Sequence, residues 1–248
     1  MKPDAPDGTA DRVRPADGET PEAMPVQAPE PARKVRPPRS PMARIAELVA
    51  IVAVALGAAY AIQAVLVKPY RIPSGSMEPT LAIGQRVLVN RLGMQLGHPS
   101  VGEIVVFHPP EAAEQMLCGP DPHRVTPGGT ACAQPIARKG SVNYIKRIVA
   151  GPGDEMYIRG GHVYREAAGT RKFVGEHDAY IKDTCEGAYT PPECNFPVPI
   201  RIPAGHWFMM GDNRGDSDDS RFWGPVPTSW IVGQAFFTYW PPDRIGGL

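Results

Sequence analysis

Three short segments hold residue types that can do chemistry. The first, residues 72–81, reads IPSGSMEPTL and sets Ser74 and Ser76 around a glycine between prolines. Glycine lets backbone approach a ligand closely. Such a turn can present a hydroxyl and a neighbouring N–H together, as a nucleophile beside an oxyanion hole requires. The same residues also make an ordinary surface turn, and they are not the G-x-S-x-G elbow. The second segment, residues 143–154, reads NYIKRIVAGPGD. Strand neighbours point to opposite faces, so Lys146 and Arg147 cannot both be solvated on one side. If Tyr144, Lys146 and Ile148 share a face, the Lys146 amine lies among apolar neighbours and its pKa falls. A neutral amine can take the proton of a serine hydroxyl; the alternative is a lysine that snorkels to solvent. The third segment, GDNRGDSDDSRFWGPV at 211–226, has six charged residues within eleven positions, the usual mark of a solvated turn. Within it Asp219 and Arg221 can pair, and Ser217 offers a hydroxyl that could orient another group. Metal binding by Asp212, Asp216, Asp218 and Asp219 fits poorly, because the EF-hand glycine and glutamate are missing and two arginines intervene.

These residues need a scaffold, and the pattern from Tyr70 onward is β. Strands are expected at 86–90, 102–108, 143–150, 155–159, 162–165, 206–211 and 231–240. Gly151-Pro152-Gly153-Asp154 and Gly160-Gly161 read as turns that would join three successive strands as hairpins. Residues 111–141 and 166–200 read as loop-rich insertions, each with a cysteine pair. The order of Cys118, Cys132, Cys185 and Cys194 favours two local pairs, although four cysteines allow three connectivities. A zinc site on Cys118, His123 and Cys132 is the rival, and it lacks a C-x-x-C pair.

Residues 48–67, LVAIVAVALGAAYAIQAVLV, carry no charge. As a helix they span roughly 30 Å, the thickness of a bilayer core. Arg33, Lys34, Arg36, Arg39 and Arg44 precede the run, and only Lys68 and Arg71 lie close behind it. The positive-inside rule then puts the N-terminus in the cytoplasm. A cleavable signal peptide cut after Ala61 is a rival reading, but the apolar run continues past that point. Residues 1–42 hold ten of the 30 prolines and almost no large apolar residues, so a disordered cytoplasmic tail is expected. The expected division is therefore tail 1–42, anchor 43–67 and extracytoplasmic domain 68–248. The 26 Lys+Arg balance 26 Asp+Glu, which leaves no basic excess for a nucleic-acid partner.

Taken together, the three segments resemble the motif boxes of the bacterial type I signal peptidase family, in the family's order and after an N-terminal anchor. The boxes are S-G-S-M-x-P-T-L, Y-I-K-R-I-V-x-x-P-G-D and G-D-N-R-x-x-S-x-D-S-R-x-W-G, and GEIVVFHPP at 102–110 resembles the strand between the first two. The resemblance implies a mainly β, antiparallel-sheet domain behind one transmembrane helix. It implies a serine endopeptidase that cuts signal peptides from exported preproteins with a Ser–Lys dyad, without cofactor or metal. Ser76 would be the nucleophile and Lys146 the general base. Ser74 and the Ser76 N–H would form the oxyanion hole, Ser217 would orient the Lys146 amine, and Asp219 and Arg221 would support the loop. Ile72, Met77, Tyr144 and Ile145 would line pockets for alanine-sized side chains, as in Ala-x-Ala cleavage sites. Implied surroundings are the inner membrane, its lipid and the secretion translocon, with the catalytic domain in the periplasm. Asp216, where asparagine is usual, and Gly151, where a larger residue is frequent, depart from the pattern. A self-cleaving repressor shares the dyad but has a DNA-binding module, and residues 1–42 show no helix-turn-helix pattern.

Overall fold

The computed structural model describes residues 40–92, 97–111, 113–119, 121–124, 128–182, 185 and 191–248. The expected tail, apart from residues 40–42, and the His123 side chain lie outside the described residues. Helix α1 runs from Pro41 to Leu66, with Pro41 at the first turn, where its missing N–H costs nothing. It is long and apolar enough to cross a bilayer.

Among the described residues fourteen strands follow: β1 (Val67–Arg71), β2 (Arg86–Asn90), β3 (Ile104–Phe107), β4 (Leu117–Cys118), β5 (Asp121–Arg124), β6 (Tyr144–Ala150), β7 (Glu155–Arg159), β8 (His162–Glu166), β9 (Phe173–Gly175), β10 (Phe196–Arg201), β11 (His206–Met210), β12 (Val226–Pro227), β13 (Ile231–Trp240) and β14 (Gly246–Gly247). The main sheet has the order β1-β2-β13-β3-β6-β11-β12, with β14 added to β13. A second sheet has the order β10-β7-β8-β9, and β4 pairs with β5. Every pairing between these strands is antiparallel.

Both faces of the main sheet are covered, which explains the unbroken apolar run of β3. Ile104 and Val106 pack with Ile72, Met77, Leu81, Val87 and Val89 on one face. Val105 and Phe107 pack on the other with Ile148, Phe208 and Trp223, in a core shared with Met156 and Ile158 of the second sheet.

Two expectations need correction. Gly160-Gly161 does close the β7–β8 hairpin, and both glycines have the positive φ (56° and 79°) that such a turn demands. Residues 151–154, however, form a corner and not a hairpin. β6 lies between β3 and β11, so neither of its edges is left for β7, and the chain crosses to the second sheet. Asp154 holds the corner: its carboxylate accepts from the N–H of Gly151 (2.8 Å), the N–H of Ala168 (2.9 Å) and Arg165 (3.0 Å). The region 166–200 is also more than loop, since it supplies β9 and most of β10 to the second sheet. Cys118 is bonded to Cys132 and Cys185 to Cys194. The first bond occupies the two thiols that a zinc site would use.

Candidate active site

Ser76 sits in a single 3-10 turn, Gly75–Met77, between β1 and β2. The turn is moored from below: Ile72, Met77 and Leu81 are almost fully buried, and Leu81 N–H donates to the Met77 carbonyl (2.8 Å). Driving Met77 inward leaves Ser76 facing the cleft. Met77, expected to line a pocket, is instead fully buried beneath the turn.

Lys146 comes from the middle of β6, opposite Val105 of β3. Only 4% of its surface is exposed, and its Nζ lies 2.6 Å from Ser76 Oγ. Burial pulls the Lys146 pKa down to about 8, against the opposing attraction of Asp219, Asp218 and Asp212. Arg147 points the other way. Its guanidinium makes two bonds to Asp212 (2.9 and 2.7 Å) and lies 3.8 Å from the centre of the Tyr180 ring. The alternation along β6 thus separates a buried amine from a paired guanidinium.

The loop after β11 grips the nucleophile turn. The backbone N–H of Asn213 donates to the Ser76 carbonyl (3.1 Å), and its side-chain amide donates to the Gly75 carbonyl (3.1 Å). Asp219 caps the short helix α2 (Ser220–Trp223) and accepts two bonds from the Arg221 guanidinium (2.8 and 2.9 Å) and one from Gly211 N–H (3.1 Å). Both partners are fully buried, and Arg221 also donates to the carbonyls of Ser217, Arg214 and Glu193. The pair therefore fixes the loop from inside. Its position also answers the metal alternative, because Asp212 and Asp219 each face an arginine.

Ser217 does not make the expected bond. Its Oγ is buried without a hydrogen-bond partner among the described residues, pressed against Gly211. A Cβ on Gly211 would lie 2.3 Å from Ser217 Oγ and 2.4 Å from the Ser76 carbonyl, so only glycine fits there. Gly151 has a similar reason: a Cβ would meet the Trp207 ring at 2.7 Å.

The cleft has a volume of about 410 Å³ and is lined by Ile72, Ser74, Ser76, Tyr144, Ile145 and Lys146, with Asp216 and Asp218 also on its wall. Ser74 Oγ is 3.4 Å from Ser76 Oγ. Sequence reasoning treated Asp218 only as a metal candidate. Burial and the charge of Asp219 raise its pKa to about 7, and it acts electrostatically on Lys146. The only local signal was the density of carboxylates in the loop. Asp212 was likewise read only as a metal candidate, and Asn213 was legible only as a loop residue.

A serine hydroxyl and a water-poor amine in contact at one cleft of a β-sheet domain form an arrangement that suits a serine-type peptide hydrolase. Residues 45–240 match the family described as signal peptidase, peptidase S26. A probable signal peptidase I-1 of Synechocystis sp. is 34% identical over 195 residues, covering 79% of this chain and 82% of that one. A probable signal peptidase I-2 of the same organism is 33% identical (77% and 71% covered), and a signal peptidase I of Leptolyngbya laminosa is 31% identical (77% and 77%). The chain belongs to the signal peptidase family, peptidase S26, and is a serine endopeptidase.

Proposed function

We propose that this protein cleaves signal peptides from exported preproteins with Ser76 as nucleophile and Lys146 as general base. The observation that carries the reading is the 2.6 Å contact between Ser76 Oγ and the buried Lys146 Nζ. A neutral amine at that distance accepts the hydroxyl proton as Oγ bonds to the scissile carbonyl carbon. The carbonyl oxygen becomes an oxyanion, held by the Ser76 N–H and the Ser74 hydroxyl. Collapse breaks the C–N bond, and the Lys146 ammonium returns its proton to the departing amine. Water, deprotonated by the same amine, then hydrolyses the acyl-serine ester and restores Ser76.

The substrate would add as a strand between residues 70–76 and 142–145, and residues of both segments line the cleft. Ile72, Tyr144 and Ile145 leave room for small side chains, which fits Ala-x-Ala sites. In this reading residues 43–67 anchor the chain, 1–42 remain in the cytoplasm, and 68–248 work in the periplasm close to the secretion translocon. α1 ends at Leu66, ten residues before the nucleophile. Even fully extended, that chain reaches only about 35 Å, so cleavage sites emerging beside a membrane segment are within range. Ser76→Ala and Lys146→Ala should each abolish cleavage of a preprotein in detergent; full activity in either variant would sink the mechanism.

A further inference from the structure

A second groove meets the catalytic cleft at Tyr70 and Asn143, which line both. Its volume is about 720 Å³. Lys68, Arg91, His108 and Lys139 line it, and among the described residues no aspartate or glutamate does. Among the described residues, Lys68, Arg91 and Lys139 form no ion pair; Lys68 only overlies the Tyr70 ring at 5.5 Å. The His108 ring is held at Nδ1 by the Val142 carbonyl, 3.0 Å away. Like charges gathered without counter-charge repel one another, and a bound anion relieves that repulsion.

The place of the cations says which anion. Lys68 is the second residue after α1, and the Arg91 N–H donates to the Leu66 carbonyl, the last of the helix, at 2.9 Å. Two cations therefore stand where the apolar helix ends, at the far end of β1 from the nucleophile turn. With α1 in a bilayer this is headgroup depth, and Tyr70 and Trp230 in the groove are residue types suited to that boundary. We propose that this groove binds the phosphate of an anionic phospholipid headgroup. The inference rests on the reading of α1 as a membrane anchor.

The test uses the full chain in neutral detergent, titrated calorimetrically with dihexanoyl phosphatidylglycerol, dihexanoyl phosphatidylcholine or inorganic phosphate. Phosphatidylglycerol should bind saturably and at least about tenfold more tightly than the other two. The triple variant Lys68→Gln, Arg91→Gln, Lys139→Gln should lose at least about tenfold of that affinity, and still cleave a peptide in lipid-free detergent at the wild-type rate. Undiminished affinity in the triple variant overturns the site. Equal binding of inorganic phosphate overturns the lipid assignment. Intact lipid binding, with slower cleavage only of substrates bearing glutamate before the cut, gives the groove to the substrate instead. Washing wild-type membranes with alkaline carbonate checks the anchor separately. Retention of the chain without lipid binding defeats this inference alone, whereas release of the chain defeats both.

Discussion

Lys146 and Asp218 titrate in the same small space, and their coupling sets the pH behaviour. In the proposed mechanism the working form of Lys146 is the neutral amine, whose pKa burial lowers to about 8. Activity should therefore rise with pH and level off above about 8; a flat kcat/KM profile between about pH 5 and about pH 9 would remove the amine from the role of base. Ionised Asp218 helps to hold the proton on Lys146. Asp218→Asn should accordingly move the rising limb to lower pH. The same substitution has a stability consequence whose sign follows from linkage. The folded pKa of Asp218, about 7, lies above its ordinary 3.8, so the folded state binds this proton more tightly. Its contribution to stability is then lost as pH rises from about 4 through about 7. Asp218→Asn should raise the melting midpoint at about pH 8 and change it little at about pH 3, as calorimetry would show.

The loop between β11 and α2 is held from inside by the fully buried Asp219–Arg221 ion pair and is packed tightly at Gly211. Asp219→Ala leaves the Arg221 guanidinium buried without its carboxylate, at an expected cost of about 3–5 kcal/mol in denaturant unfolding. Replacing both partners, as Asp219→Leu with Arg221→Met, should cost less than Asp219→Ala alone, because no buried charge is left unpaired. Gly211→Ala acts differently. The new methyl meets the Ser76 carbonyl and Ser217, so the nucleophile turn must shift. A displacement near 1 Å costs about a hundredfold in kcat/KM, and normal kinetics for this variant would contradict the packing described. The first turn of the site has a comparable economy: Met77 anchors it by burial, which is why a residue expected at the substrate surface lies underneath.

At the level of the entire chain, the proposed anchor and the chemistry should be separable. A chain lacking residues 1–66 should still cut a peptide substrate but should no longer sediment with membranes; sedimentation of the truncated chain would show that the β domain holds the bilayer by itself. The motif segments, the apolar run and half of the described strands (β2, β3, β6, β7, β8, β11 and β13) were legible in the sequence because each is a local pattern: a turn composition, a helix-length stretch without charge, an alternation of period two. Separation of Lys146 from Arg147 was legible for the same reason. Apart from the β7–β8 hairpin, which strands pair was not. The β6–β7 corner looked like a hairpin because its glycines and proline are turn residues, and only the occupied edges of β6 exclude one. β9 and β10 hid in apparent loop, since short or proline-bearing strands form when the rest of the sheet offers an edge. The fully buried Met77, the coupling of Asp218 to Lys146 and the cationic groove all depend on residues far apart in the chain. Sequence by itself therefore determined the kinds of residue available and their local conformation. Tertiary structure alone decided which came within a few ångströms of one another and which lost their water, and proton affinity and reactivity follow from those two conditions.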